Sequence, residues 1–233
     1  MRVLAFETSM RQAEVALCEN DQLVASQTLP KEKSTAAFLV PMIRDLLEQQ
    51  SWSKRELDLI AVSIGPGSFT GLRVGLTIAK TWSFACEIPI LGISTFEVLV
   101  AQATPGPLIC PMIPAQRGQV FTSLYKKSDA EGNVAVAPPR WTNPETWLAT
   151  IPQDTVLVGD GISLLEQPVS AGLIVSPKST WSPQAKTVAS LAWTRFNAGE
   201  KHNPLELKPL YMRPSAAEEN RLAGSSDTNA SQS

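Results

Sequence analysis

Apolar residues dominate positions 2–8 and 13–18, and the polar run Ser9-Met10-Arg11-Gln12 separates them. Two short apolar runs around a polar break predict a β-hairpin. Residues 22–29 can add a third strand. Over 34–50 the period lengthens, placing Phe38, Met42, Ile43, Leu46 and Leu47 on one side of a helix that Ser34 or Thr35 can cap. Ser53 and Glu56 have capping-box spacing for a short turn. A strand over 58–64, a helix over 72–86 and a strand over 88–93 follow, and Ser94 with Glu97 repeats the capping box before a helix to about residue 103.

Thr104-Pro105-Gly106-Pro107 breaks the pattern and sets a boundary. Beyond it, 108–114 and 119–125 predict a strand pair, and Asn143-Pro144 starts a short helix. Residues 155–158 form a strand closed by Gly159-Asp160-Gly161, expected to be a plain strand-end turn. Ser182-Pro183 opens the last long helix, which Gly199 stops. The end of the chain is rich in Ser, Ala, Asn and Asp and poor in apolar residues, which predicts disorder. The expected plan is α/β with two related lobes, 1–104 and 105–213, and a tail, 214–233.

Charge adds exclusions. The 233 residues carry 20 basic and 22 acidic side chains, so no basic field covers the whole surface. Arg11, Lys31, Lys33, Lys54 and Arg55 are expected as scattered, solvated charges. The opening MRVLAFETS lacks a charged leader before an apolar run, and the apolar stretches are shorter than a membrane span, which predicts a cytoplasmic protein. Cys18, Cys86 and Cys110 are odd in number and form no CxxC, so they are expected as free, buried, small apolar residues. His202 is the one histidine, expected on the surface at a helix end. With no HxxxH or HExxH, no metal site is expected.

The chemistry-bearing stretch is Gly65-Pro66-Gly67-Ser68-Phe69-Thr70-Gly71-Leu72-Arg73-Val74-Gly75. A glycine loop at a helix start presents free N–H groups to anions. The Lys-Ser/Thr of a P-loop is missing, because Leu72-Arg73 follows Gly71, and Thr70 stands where a dinucleotide loop needs its third glycine. A well-capped strand-to-helix turn is the plainer expectation, with Ser68 or Thr70 as cap. Gly71, Gly75 and Ala79 share one helix face, which suits either internal packing or a subunit interface. Ala36, Ala37, Leu39 and Val40 widen the apolar band of the preceding helix. Ser9 and Ser68 have no histidine near them in sequence, so a nucleophile triad is not supported.

This stretch resembles the signature of the TsaB (YeaZ) family of tRNA threonylcarbamoyladenosine biosynthesis proteins. The likeness continues through Arg2-Val3-Leu4-Ala5-Phe6-Glu7-Thr8-Ser9 and Leu91-Gly92-Ile93-Ser94-Thr95, and later through Gly118-Gln119-Val120-Phe121 and Pro209-Leu210-Tyr211-Met212-Arg213. The resemblance implies an actin-like (sugar kinase/Hsp70-type) ATPase fold with two lobes. It implies a non-catalytic scaffold that pairs with the catalytic relative TsaD and works with the ATPase TsaE. The apolar helices are expected to pair two copies when TsaD is absent, and the net charge, which opposes the rival of direct tRNA binding by the chain alone, leaves tRNA contact mainly to the partner assembly, with no membrane. The implied pairing surface uses the first two long helices: Phe38, Met42, Leu46, Gly71, Leu72, Gly75, Leu76, Ala79 and Trp82. Gly75→Leu is then expected to weaken pairing and leave the fold mostly intact.

Glu7, Thr8, Ser9, Gly65, Gly67, Ser68 and Thr70 correspond to a degenerate nucleotide or phosphate site. Glu7 stands where the family has aspartate, and Pro114-Ala115-Gln116 where the second lobe usually opens with Asp-Ala-Arg. No cofactor of its own is therefore expected, with ATP/ADP or Mg only at a partner interface. The alternatives are a small-molecule kinase or ATPase of the same fold, for which Pro114 removes an acid, and a Gcp-type metallopeptidase, disfavoured by the lack of ligand histidines.

Overall fold

The computed structural model describes residues 1–128 and 132–212; the expected tail lies outside the described residues. The chain opens with the antiparallel meander β1 (Arg2–Glu7), β2 (Glu14–Glu19) and β3 (Gln22–Thr28). Helix α1 (Thr35–Gln49) leads to β4 (Leu59–Gly65), which lies parallel to β1, and α2 (Phe69–Cys86) leads to β5 (Ile90–Ser94), parallel to β4. The sheet order is β3-β2-β1-β4-β5. Helix α3 (Thr95–Gln102) follows, held by the Ser94/Glu97 capping box.

The second half repeats the plan. β6 (Leu108–Pro114), β7 (Val120–Ser128) and β8 (Gly132–Thr142) form an antiparallel meander, and β9 (Thr155–Val158) and β10 (Ile174–Val175) add in parallel. Read from the other edge, the order β8-β7-β6-β9-β10 matches the first sheet strand for strand. The helices do not match. Where the first half has α1 and α2, the second has only α4 (Pro144–Leu148) and a 3-10 turn at Asp160–Leu164. Two long helices therefore cover one face of the first sheet alone.

Helix α5 (Ala185–Asn197) comes from the stretch expected to build the second lobe, yet it packs on the first sheet. Ala185, Val188, Ala189 and Ala192 bury against Val3, Ala5, Leu59, Ala61 and Leu91. The other face of that sheet takes α1 and α2, with Leu4, Phe6, Val15, Ile43, Ile60 and Leu76 in the core. Each fully buried Leu or Ile side chain contributes about 1.5–3 kcal/mol. α3 bridges the halves: Val98 joins the first-sheet core, while Phe96 and Leu99 pack with Ile109, Val156 and Val158 of the second.

After α5, Gly199 takes φ 91°, a left-handed turn that suits glycine. Residues 200–212 then run back as a strap. His202 is not the free surface residue expected: its N–H donates to Ile90 O, its Nδ1 accepts the Gly92 N–H at 3.0 Å, and Nε2 lies 3.2 Å from Glu200. Lys80 Nζ donates to Leu207 O at 2.9 Å, and Leu210 N donates to Ile64 O at 2.7 Å. The strap thus ends above the glycine loop. Cys18, Cys86 and Cys110 are free, with Cys18 and Cys110 buried and Cys86 half-buried. Burial pushes the Cys18 and Cys110 thiols up to about 11.

Candidate functional site

Three features meet where β1, β4 and α2 come together: the glycine loop, a cleft between the two halves, and the outer surface of α1 and α2. Gly65 and Gly67 have φ 106° and 158°, and the loop they form is pressed against the end of β1. A Cβ on Gly67 would strike Ser9 O, one on Gly71 would strike Thr8 O, and one on Gly75 would strike the Thr8 side chain. Two N–H groups of the loop and first helical turn are used internally. Ser68 N donates to Ser9 O at 2.6 Å, and Gly71 N donates to Ser68 Oγ at 3.2 Å, making Ser68 the side-chain N-cap of α2.

Glu7 is buried, and one carboxylate oxygen accepts both the Ser9 N–H, at 2.5 Å, and the Ser9 hydroxyl. Its other oxygen has no partner among the described residues. Burial raises the Glu7 carboxyl from 4.5 to about 7, against the lowering effect of the Ser9 bonds. Glu14, opposite it on β2, is also raised by burial. Thr8 N donates to Ser63 Oγ at 3.2 Å, and Thr8 Oγ1 is enclosed without a partner among the described residues.

These contacts test whether the loop suits a nucleotide phosphate. Two of its N–H donors, those of Ser68 and Gly71, are spent on Ser9 O and Ser68 Oγ, and Glu7 is buried instead of lining the cleft. Of the expected phosphate-site residues, Ser9, Gly67, Ser68 and Thr70 line the cleft, while Glu7, Thr8 and Gly65 do not. With two donors committed and Glu7 out of the cleft, the loop is a poor phosphate cradle. Its close packing locks β1 to α2.

The partner-facing set requires a correction. Met42, Leu46, Gly71, Leu72, Gly75, Leu76 and Ala79 are buried in this chain's own core, so they form no surface. Their spacing marks the stripes of α1 and α2 that face the sheet, and the small residues fit the end of β1. Phe38 is exposed at 38%, with Lys33 Nζ 4.3 Å above its ring. Trp82 is half-buried, its Nε1 enclosed with no partner among the described residues. Exposed apolar side chains remain on both helices, Ala36, Ala37, Phe38 and Val40 on α1 and Phe84 and Ala85 on α2, interspersed with the exposed polar Arg44, Glu48, Arg73 and Thr77. Val74 and Ile78 are half-buried beside them.

The cleft has a volume of about 1010 Å3. It gathers side chains from the β1–β2 turn, the α1 approach, α2, the β6–β7 turn and the strap, including Arg11, Lys31, Arg73, Asp160 and Tyr211. Arg73 is clamped: its guanidinium lies 3.8 Å over the Phe69 ring, and its Nε donates to Tyr211 Oη at 2.8 Å. Phe69 and Tyr211 stack at 4.9 Å between centroids. Phe69 and Arg73 are one helical turn apart, so their pairing was legible in the sequence. Tyr211, 138 residues further on, was not.

A family model described as TsaD: tRNA N6-adenosine threonylcarbamoyltransferase matches residues 24–220. The TsaB protein of Escherichia coli (strain K12) is 26% identical over 226 residues, 93% of this chain and 96% of that one. The TsaB protein of Bacillus subtilis (strain 168) is 36% identical over 127 residues, 54% of this chain and 56% of that one. The chain belongs to the TsaD family and, within it, to the TsaB (YeaZ) proteins. YeaZ from Pseudomonas aeruginosa has the same fold, with TM-score 0.74 at 25% identity, covering 91% of this chain and 99% of that one. The doubled sheet is accordingly the two-lobed α/β architecture of actin-like ATPases.

No cluster of three metal-ligating side chains occurs among the described residues, and no described helix is long and apolar enough to cross a membrane.

Proposed function

We propose that this chain serves tRNA threonylcarbamoyladenosine biosynthesis as a subunit without chemistry of its own, supporting a TsaD-type catalytic relative. The relatives' names supply the process. The observation that carries the non-catalytic role is the packing of the glycine loop. Two of its N–H donors and Glu7 serve the internal joint between β1 and α2, which leaves Asp160 as the acid lining the cleft among the described residues. That arrangement speaks against an independent kinase or ATPase. We assign any nucleotide and its magnesium to the partner interface, and the assembly with the TsaE-type ATPase brings in the tRNA.

The pairing surface is the outward flank of α1 and α2, centred on Phe38, Val40, Ile78 and Phe84. It replaces the inward stripe that the helix spacing suggests. Exposed apolar side chains on two adjacent helices suit a partner helix pair. Binding would favour the active state of the catalytic partner through contacts made only in that state. The same flank pairs two copies of the chain when the catalytic partner is missing.

Calorimetric titration of this chain against its TsaD-type partner tests the surface. Phe38→Glu should lower affinity at least tenfold with the thermal midpoint unchanged. Undiminished affinity would remove the flank from the interface.

A further inference from the structure

We propose that the cleft between the two halves binds a single strand of RNA, so that this chain holds part of the tRNA directly. This goes beyond the function proposed above, in which the assembly brings in the tRNA, and rests on it for the choice of RNA over another polyanion. The chain as a whole is slightly acidic, with 22 acidic against 20 basic residues, yet among the described residues the cleft brings together Arg11, Lys31 and Arg73 against Asp160 alone. Arg11 and Lys31 form no ion pair among the described residues. Of Arg73, Nε is hydrogen-bonded to Tyr211 and the guanidinium plane lies over Phe69, which leaves its terminal nitrogens without a hydrogen bond among the described residues. Three cations at one cleft, in a protein of this composition, form a local positive field.

Aromatic rings stand among the cations. Tyr211 is 41% exposed and lines the cleft, stacked on Phe69, which carries the Arg73 guanidinium on its face. A positively charged groove with exposed aromatic faces is the arrangement that accepts single-stranded nucleic acid, the cations following phosphates and the rings stacking bases. The bond from Arg73 to Tyr211 Oη fixes the ring in place before any base arrives. A duplex offers no open base face to Tyr211, so the cleft discriminates by strandedness.

The test is fluorescence anisotropy of the full chain with a fluorescein-labelled single-stranded RNA nonamer, titrated from low salt upward, with the matching duplex and ATP-Mg as competitors. The single strand should bind at least fivefold tighter than the duplex. Arg11→Ala and Lys31→Ala should each weaken it about fivefold and reduce the salt slope by roughly 0.7. Tyr211→Leu should weaken it about tenfold with no change of slope, whereas Tyr211→Phe, which keeps the ring, should retain most of the affinity. Lys54→Ala, a cation outside the cleft, should change nothing.

Equal binding of strand and duplex, insensitivity to Arg11→Ala and Lys31→Ala, or binding of ATP-Mg without RNA would each overturn the proposal. Calorimetry against the TsaD-type partner is run on the same variants. Partner affinity retained with no RNA binding sinks the cleft alone, and RNA binding retained with no partner affinity sinks the scaffold alone.

Discussion

The Thr8 side chain occupies the space that any side chain at Gly75 would need. A strand end and a helix therefore meet backbone to side chain, with Gly71 against Thr8 O one turn earlier. The four-residue spacing of small residues is an internal joint. Gly75→Leu should cost the fold about 3 kcal/mol or more, since overpacking a tight core typically costs 1–3 kcal/mol and occasionally more. This reverses the expectation that Gly75→Leu spares the fold. Urea unfolding measures it, and adding Thr8→Ala should recover part of the loss. Additive losses in the double variant would show that the two sites do not touch.

Glu7 gives the joint a pH dependence. Its folded carboxyl is raised to about 7 from 4.5, so the folded state holds a proton that the unfolded state releases across that window. The contribution to stability is therefore greatest below about 4.5, falls as pH rises to about 7, and is level above. Glu7→Gln keeps an acceptor for Ser9 and stays neutral. Its advantage over the parent should grow from small at pH 4 to on the order of 3 kcal/mol at pH 8. Chemical unfolding at several pH values measures this, and a constant difference would mean that Glu7 does not titrate in the window.

Ser68 caps α2 by accepting the Gly71 N–H. Ser68→Ala should destabilise the chain by about 1 kcal/mol, while Ser68→Asn, also an effective cap, should cost less. Ser68 Oγ lies at the glycine loop, away from Phe38 and Phe84, so partner affinity should not change beyond the loss of folded protein. A thermal melt paired with the titration separates the two effects.

The outer flank responds oppositely. Phe84 is 67% exposed, so Phe84→Ser should leave unfolding within about 0.5 kcal/mol of the parent, as is usual for surface positions. It should nevertheless weaken self-association, seen by light scattering across a dilution series. An unchanged dimer fraction would place the contact elsewhere.

Much of the first sheet was legible because its strands are short apolar runs and its helices carry clear periodicity. The ends of β1, β2 and β4 fall within two residues of those expected, as does the whole of α1. β8 was not foreseen: Pro138 and Pro139 argue against a strand, and the structure tolerates them because β8 is an edge that pairs with β7 alone. The faces of α1 and α2 were misjudged for a physical reason. Helical spacing shows that residues share a side, and only the packed structure shows which side meets the sheet. Burial of Glu7 and the approach of Tyr211 to Arg73 depend on contacts across the chain, which periodicity does not carry. The cations of the cleft looked scattered because they come from separate elements: Arg11 from the β1–β2 turn, Lys31 from the approach to α1 and Arg73 from α2.

Reconstituted tRNA threonylcarbamoylation with purified components, run with and without this chain, bears most directly on its role. Omission of the chain, or use of Phe38→Glu, should abolish or strongly reduce modification, while the chain alone hydrolyses no ATP. Full modification in its absence, or robust ATP turnover by the chain alone, would contradict a non-catalytic supporting subunit.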